Sequence, residues 1–211
     1  MIRLTTIISV LLLTTLAASA NVLDEWSADL GASPEAKLSY LFEVTFMKID
    51  VATVMARLDD ETTQALAAIV SEGKRSDERT NRASDALLAA DTIAFGMEFR
   101  RDGEFDRFLK GVLNNLEKAM EADIVTAEEH ARIRDAFEAL MLPHQERGAF
   151  QGDRLLFRVQ ADGVRVIYLG FDDQVLVDSF EAGGDWARGI KGVFAGEKSK
   201  LRKKLVERVW D

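Results

Sequence analysis

The 211-residue chain contains no cysteine. That excludes disulfides, thiolate zinc sites, a cysteine nucleophile and lipid attachment through a cysteine. Histidine occurs only at His130 and His144, so a three-histidine metal site cannot be assembled. There is no G-x-S-x-G or S-x-x-K string to mark a serine nucleophile. A glycine-rich phosphate loop is missing too, because Gly183-Gly184 lacks the flanking pattern. On these grounds no metal, no cofactor and no catalytic residue is expected. Positive charge is also in deficit: 27 Lys and Arg stand against 36 Asp and Glu, for a net charge of −9. Binding to nucleic acid is driven by neutralising phosphates, so nucleic acid is excluded as the expected partner. Beyond the first twenty residues no apolar run approaches the length that spans a bilayer, so no further membrane span is expected.

The first twenty residues, MIRLTTIISVLLLTTLAASA, carry Arg3, then an apolar stretch from Ile7 to Ala17, then Ala18-Ser19-Ala20. This is the pattern of a secretory signal peptide, with cleavage expected after Ala20 and a periplasmic or secreted mature chain. An exported domain without disulfides must be held by burial alone, and a composition 47% hydrophobic suffices for one domain. Residues 21–36 read as a polar connector broken by Gly31 and Pro34, and residues 37–211 as a single domain.

Hydrophobic periodicity orders the elements. Alternation with period two predicts strands over 37–47, 49–58, 92–101, 154–159, 164–169 and 174–180. Asp162-Gly163, between two alternating runs, predicts a hairpin with a type I′ turn. Asp59 or Asp60 can cap a helix that Gly73 ends. The charged stretch 74–85 reads either as a loop or as the solvated start of a second helix. Phe105, Phe108, Leu109, Val112, Leu113, Leu116 and Met120 form the best helical stripe of the chain. Thr126-Ala-Glu-Glu129 reads as a capping box opening a helix that Pro143 ends. Two helices, 185–195 and 197–209, close the chain. Strands in adjacent pairs and threes predict an α+β protein with a mainly antiparallel sheet packed by helices on one side.

Few residues carry chemistry. The acidic pairs sit at helix starts or turns, where they stabilise local structure. Asp50 shares a strand face with Ala52, Val54 and Ala56, and a carboxylate facing an apolar interior needs a partner or a raised pKa. The alternative is that it lies at the open strand end near Lys48, in water. The basic run from Lys198 to Arg208 reads as a solvated helix face, with docking on anionic lipid as its other use.

Four strings, in order, resemble the chalcone isomerase-like family, in its bacterial branch. They are FMKIDVATVMARL (46–58), IAFGMEFRRD with the helix EFDRFLKGVLNNLEKA (93–119), the GDRLLF entry to the late hairpin, and DWARGIKGVFAGEKSKLRKKLVERVW (185–210). The resemblance spans about 37–210 and implies an open-faced β-sandwich with a cleft between sheet and helices. In plant members this cleft closes a flavanone ring, whereas other members are non-catalytic and some bind fatty acids. The catalytic set implied by the family is not matched. The arginine falls at Leu38 beside Lys37, the strand threonine at Asp50, the tyrosine at Phe105, the asparagine at Val112 and the late threonine at Val193. Phe and Val donate no hydrogen bond to a developing oxyanion, and a carboxylate repels it.

The expected function is therefore an exported, non-catalytic protein holding a fatty-acid-like or other apolar small molecule. Asp50, Phe105, Val112 and Val193 are its expected lining, with Thr45 and Tyr40 of the first strand and Arg100 and Arg101 after the central one as substitutes for the carboxylate-holding groups of the fatty-acid binders. Two alternatives remain: an isomerase or lyase using Asp50 as base, and a partner-binding protein that docks through 59–85 and the basic last helix.

Overall fold

The computed structural model describes residues 26, 30–31, 34–44 and 49–211. The expected signal peptide and Thr45 lie outside the described residues. Six strands form one sheet in strictly sequential order, with every neighbour antiparallel: β1 (Lys37–Val44), β2 (Ile49–Leu58), β3 (Ile93–Phe99), β4 (Arg154–Gln160), β5 (Gly163–Leu169) and β6 (Val175–Ala182). Among the described residues six α-helices of these bounds accompany it: α1 (Asp60–Ser71) and α2 (Asp77–Ala89) between β2 and β3, α3 (Phe105–Glu121) and α4 (Ala127–Met141) between β3 and β4, and α5 (Gly184–Ala195) and α6 (Arg202–Glu207) at the end. The class is α+β, as the strand grouping predicts. No helix among the described residues is long and apolar enough to cross a membrane.

Register aligns side chains into rows on the helix-facing side, because alternate residues of each strand share a face. One row runs Leu38, Ala56, Phe95, Phe157, Val166. The next runs Tyr40, Val54, Met97, Leu155, Tyr168, Val177. A third begins Phe42, Ala52, Phe99. All but Phe42 are buried. Helix α5 lies against β4 and β5 and packs closely on its neighbours because its residues are small. A Cβ on Gly192 would stand 2.6 Å from the Ala119 Cβ of α3, and one on Gly189 would stand 2.9 Å from Ile133 Cδ1 of α4.

Several local expectations are refined. The charged stretch 74–85 is the start of helix α2, capped by the Ser76 hydroxyl accepting from the Arg79 N–H. The capping box at Thr126 and Glu129 forms with both hydrogen bonds. Pro143 ends α4 by passing the chain into a 3-10 segment, Leu142–Arg147. The last helix is shorter than its periodicity suggests, six residues followed by a 3-10 turn at Arg208–Trp210.

The β4–β5 hairpin corrects a turn assignment. Gly163 pairs with Gln160, so the two loop residues are Ala161 and Asp162, and neither has positive φ. The turn is not type I′. Glycine is required at 163 because a Cβ there would stand 2.4 Å from the Glu181 carbonyl oxygen of β6. Close approach of the neighbouring strand, not turn geometry, selects it.

The connector also carries more than its composition suggests. Trp26 and Leu30 are buried on the sheet's second face, against Ala94, Leu156, Ile167 and Leu169. The Gly31 N–H donates to the Leu58 carbonyl, and the Arg158 guanidinium donates to the Trp26 carbonyl. Helices thus cover one face of the sheet, and part of the segment ahead of β1 covers some of the other.

Candidate ligand-binding site

Helix α3 turns Phe105, Val112, Leu116 and Ala119 inward at helical spacing, and all are buried. Phe108, Leu109 and Leu113 flank this stripe and are only half-buried against the same core. The Phe108 ring stands edge-on to Phe99 at 4.6 Å, and the Phe105 ring lies 5.9 Å from both Phe108 and Tyr168. Val193 projects from α5 and is buried; its neighbour Phe194 stacks on Phe95 at 4.5 Å. The centre of the interior is filled by these rings.

Its margin is more open. In the row Phe42, Ala52, Phe99, a small residue sits between two phenylalanines, and Phe42 is half-buried. Phe108 meets this row through Phe99. The apolar surface that remains partly exposed on the helix-facing side therefore includes Phe42 together with Phe108, Leu109 and Leu113 of α3.

Of the expected site residues, Phe105, Val112, Val193 and Tyr40 fall in this one apolar cluster. Thr45 lies outside the described residues. Asp50 is placed by its backbone, which pairs with Glu43 at the start of β2; its side chain lies outside the described part. Arg100 does not join the others. Its Nε donates to Thr53 Oγ1 at 2.7 Å and its Nη1 to Glu98 at 3.1 Å. Thr53 and Glu98 alternate with the core residues of their strands, so this cluster lies on the second face, away from the helices. The reason is register: Phe99 points to the core, and the next residue must point the other way.

A polar centre borders the site that was visible in sequence only as the Gly-Asp string before β4. Asp153 is fully buried. Its Oδ2 accepts from Arg147 Nη1 at 2.6 Å, the Tyr168 hydroxyl at 2.8 Å and the Phe150 N–H at 2.9 Å. Its Oδ1 accepts from Arg147 Nη2 at 3.0 Å and the Phe171 N–H at 2.8 Å. Burial by itself would raise the Asp153 carboxyl pKa, but the hydrogen bonds from Arg147, Phe150 and Tyr168 outweigh it and hold the group below the usual carboxylate range. Burial, reinforced by the bond to Asp153, pushes the Tyr168 hydroxyl well above its ordinary value. Gly152, at φ +91°, makes the turn that brings the aspartate inward.

With five donors around it the carboxylate has no lone pair directed at a ligand. Its work is positional. The 147–153 loop that it fixes pairs with the lead into α3, where Gly103 and Ala149 exchange hydrogen bonds of 2.9 and 3.1 Å. That pairing places Phe105 two residues later against Tyr168. Other buried polar groups nearby are likewise engaged: Asn115 of α3 accepts from the Lys200 N–H at 3.0 Å, and the Tyr40 hydroxyl donates to the Leu201 carbonyl at 3.1 Å.

A sequential antiparallel sheet with helices on one face and an apolar sheet–helix interior defines a chalcone isomerase-like fold. A fatty-acid binding protein of Arabidopsis thaliana, a member of that fold, superposes with a TM-score of 0.54 over 87% of this chain and 91% of that chain, at 14% sequence identity. The likeness is one of fold. No protein-family model matches the chain, and no curated protein matches its sequence.

Proposed function

We propose that the chain is an exported, non-catalytic relative of the chalcone isomerase-like family that holds a fatty-acyl or comparably apolar small molecule on the helix-facing side of its sheet. The observation that carries this reading is the half-buried apolar margin made by Phe42, Phe108, Leu109 and Leu113 beside a fully apolar lining. A half-buried apolar margin offers surface that a ligand can cover, and transfer from water favours an acyl chain by about 0.8 kcal/mol per buried methylene. The fatty-acid binding of the structural neighbour supports the same ligand class. Phe105, Val112 and Val193 supply apolar area and no proton donor, which supports binding without turnover. Export rests on the first twenty residues, and N-terminal sequencing of protein from the periplasm tests it, with Asn21 as the expected first residue.

Binding is tested by native mass spectrometry of the purified chain before and after organic extraction, followed by titration with a fluorescent C16 fatty acid. Bound acyl mass and saturable binding are expected. A Val112→Trp variant, which enlarges a buried side chain of the α3 lining, is expected to weaken probe binding at least tenfold. Saturable binding that Val112→Trp leaves intact, or no binding by extracted protein, refutes the reading.

A further inference from the structure

The chain is acidic overall, yet its last segment is not. Between residues 198 and 208 stand Lys198, Lys200, Arg202, Lys203, Lys204 and Arg208, against Glu207 as the sole acid. Packing turns this composition into a surface. Helix α6 buries Leu205 and Val206, and Leu201 ahead of it is buried too. With that side committed to the core, all the cations of the segment except Arg202 are exposed. Arg202 is bound inward, to Ser84 at 2.8 Å and Asn81 at 2.6 Å.

The display is rigid. The Tyr40 hydroxyl and Asn115 pin residues 200 and 201 from two different elements, and the Ser199 hydroxyl accepts from the Leu201 N–H at 3.1 Å. Beside it lies a groove of about 380 Å³ lined by Leu41, Arg75, Lys204, Glu207, Arg208 and Asp211. Leu41 is an exposed large apolar side chain there, at 39%. Trp210, half-buried at the chain end, packs against the core with its indole N–H turned inward, so Leu41 is the apolar side chain this face leaves exposed. Cations on a fixed platform, with an exposed leucine alongside, are the composition of a membrane-surface contact.

We propose that this face docks the protein on a membrane rich in anionic phospholipid, with Lys200, Lys203 and Lys204 against the headgroups and Leu41 at the acyl boundary, while Lys198 is held by the Glu121 carbonyl. The net negative charge elsewhere does not prevent it. At physiological ionic strength charges more than about 8 Å apart in water are largely screened, so the local sign governs contact. Each cation near an anionic surface strengthens partition by about fivefold. The inference does not depend on what the sheet–helix site holds.

Vesicle flotation tests it, using phosphatidylcholine alone or with 30% phosphatidylglycerol, at 50 and 500 mM salt. Binding is expected only to the anionic vesicles at low salt. The triple variant Lys200→Glu, Lys203→Glu, Lys204→Glu, checked for native circular dichroism and unchanged C16 probe binding, is expected to lose at least a hundredfold. Saturable binding of glycerol phosphate that the triple variant loses, without any vesicle binding, would assign the face to a small anion and overturn the proposal. So would salt-sensitive self-association, abolished by the triple variant, in place of vesicle binding. Equal binding of wild type and variant to anionic vesicles overturns it as well.

Discussion

The Arg147 guanidinium grips both oxygens of the fully buried Asp153 carboxylate, at 2.6 and 3.0 Å. The pair ties the loop ahead of β4 to the β5–β6 turn and to strand β5, through Phe150, Phe171 and the Tyr168 hydroxyl. Removing one member of a buried pair leaves the other uncompensated, which typically costs about 3–5 kcal/mol. Asp153→Ala is therefore expected to lower the melting temperature by roughly 10 °C, measured by calorimetry. A loss under 2 °C would show that the network is not holding the loops.

The same group sets a pH dependence. Its pKa is depressed in the folded state, so its contribution is fully present above the unfolded carboxyl value of about 3.9 and is lost as pH falls through the folded value. The stability gap between wild type and Asp153→Ala is expected to be constant from pH 5 to 7 and to shrink below pH 4. Urea titrations across that range measure it.

Arg100 and Val112 separate the two faces of the sheet. Arg100 bonds Thr53 and Glu98 on the second face, and Val112 sits among the core residues of the helix layer. Arg100→Ala is expected to leave C16 probe binding within twofold of wild type, in the titration where Val112→Trp weakens it tenfold. A surface ion pair of this kind is worth about 0–1 kcal/mol, so stability is expected to change little.

Trp26 tests the segment ahead of β1. Its side chain, 6% exposed, covers Ala94, Leu156, Ile167 and Leu169. Trp26→Ala is expected to cost about 3 kcal/mol and to increase binding of a hydrophobic dye to the uncovered face. A neutral substitution would mean that this contact contributes nothing.

At Gly192, α5 packs directly on Ala119 of α3. A Cβ there meets Ala119 Cβ at 2.6 Å and Ile124 Cγ2 at 3.3 Å. Gly192→Val is expected to destabilise by about 1–3 kcal/mol through overpacking, whereas Gly111→Ala, where a Cβ meets nothing within 4 Å, is expected to stabilise slightly.

Much of this was legible in the chain itself. Period-two alternation located all six strands, because each has one face in a helix-covered core. The stripe from Phe105 to Met120 located α3, and Thr126 with Glu129 located the start of α4; both are local patterns that tertiary contacts only reinforce. Phe105, Val112 and Val193 could be put in one cluster through the resemblance to a known fold. By contrast, Ser76 capping a helix of mean polar character was ambiguous, since α2 buries only Ala83, Ser84 and Leu87. Gly163 read as a turn residue because Asp-Gly is a local signal, and the β6 carbonyl that excludes a side chain there is eighteen residues away in sequence.

The sequence by itself determined the class of fold, the strand and helix order and the apolar character of the site, because hydrophobic period and capping act within a few residues. Tertiary structure alone decided that Asp153 is a saturated anchor, that Arg100 faces away from the helices, and that Trp26 covers the second face. Each depends on which backbone donors, strand faces or apolar rows come together from distant parts of the chain, and close packing, not local preference, selects those partners.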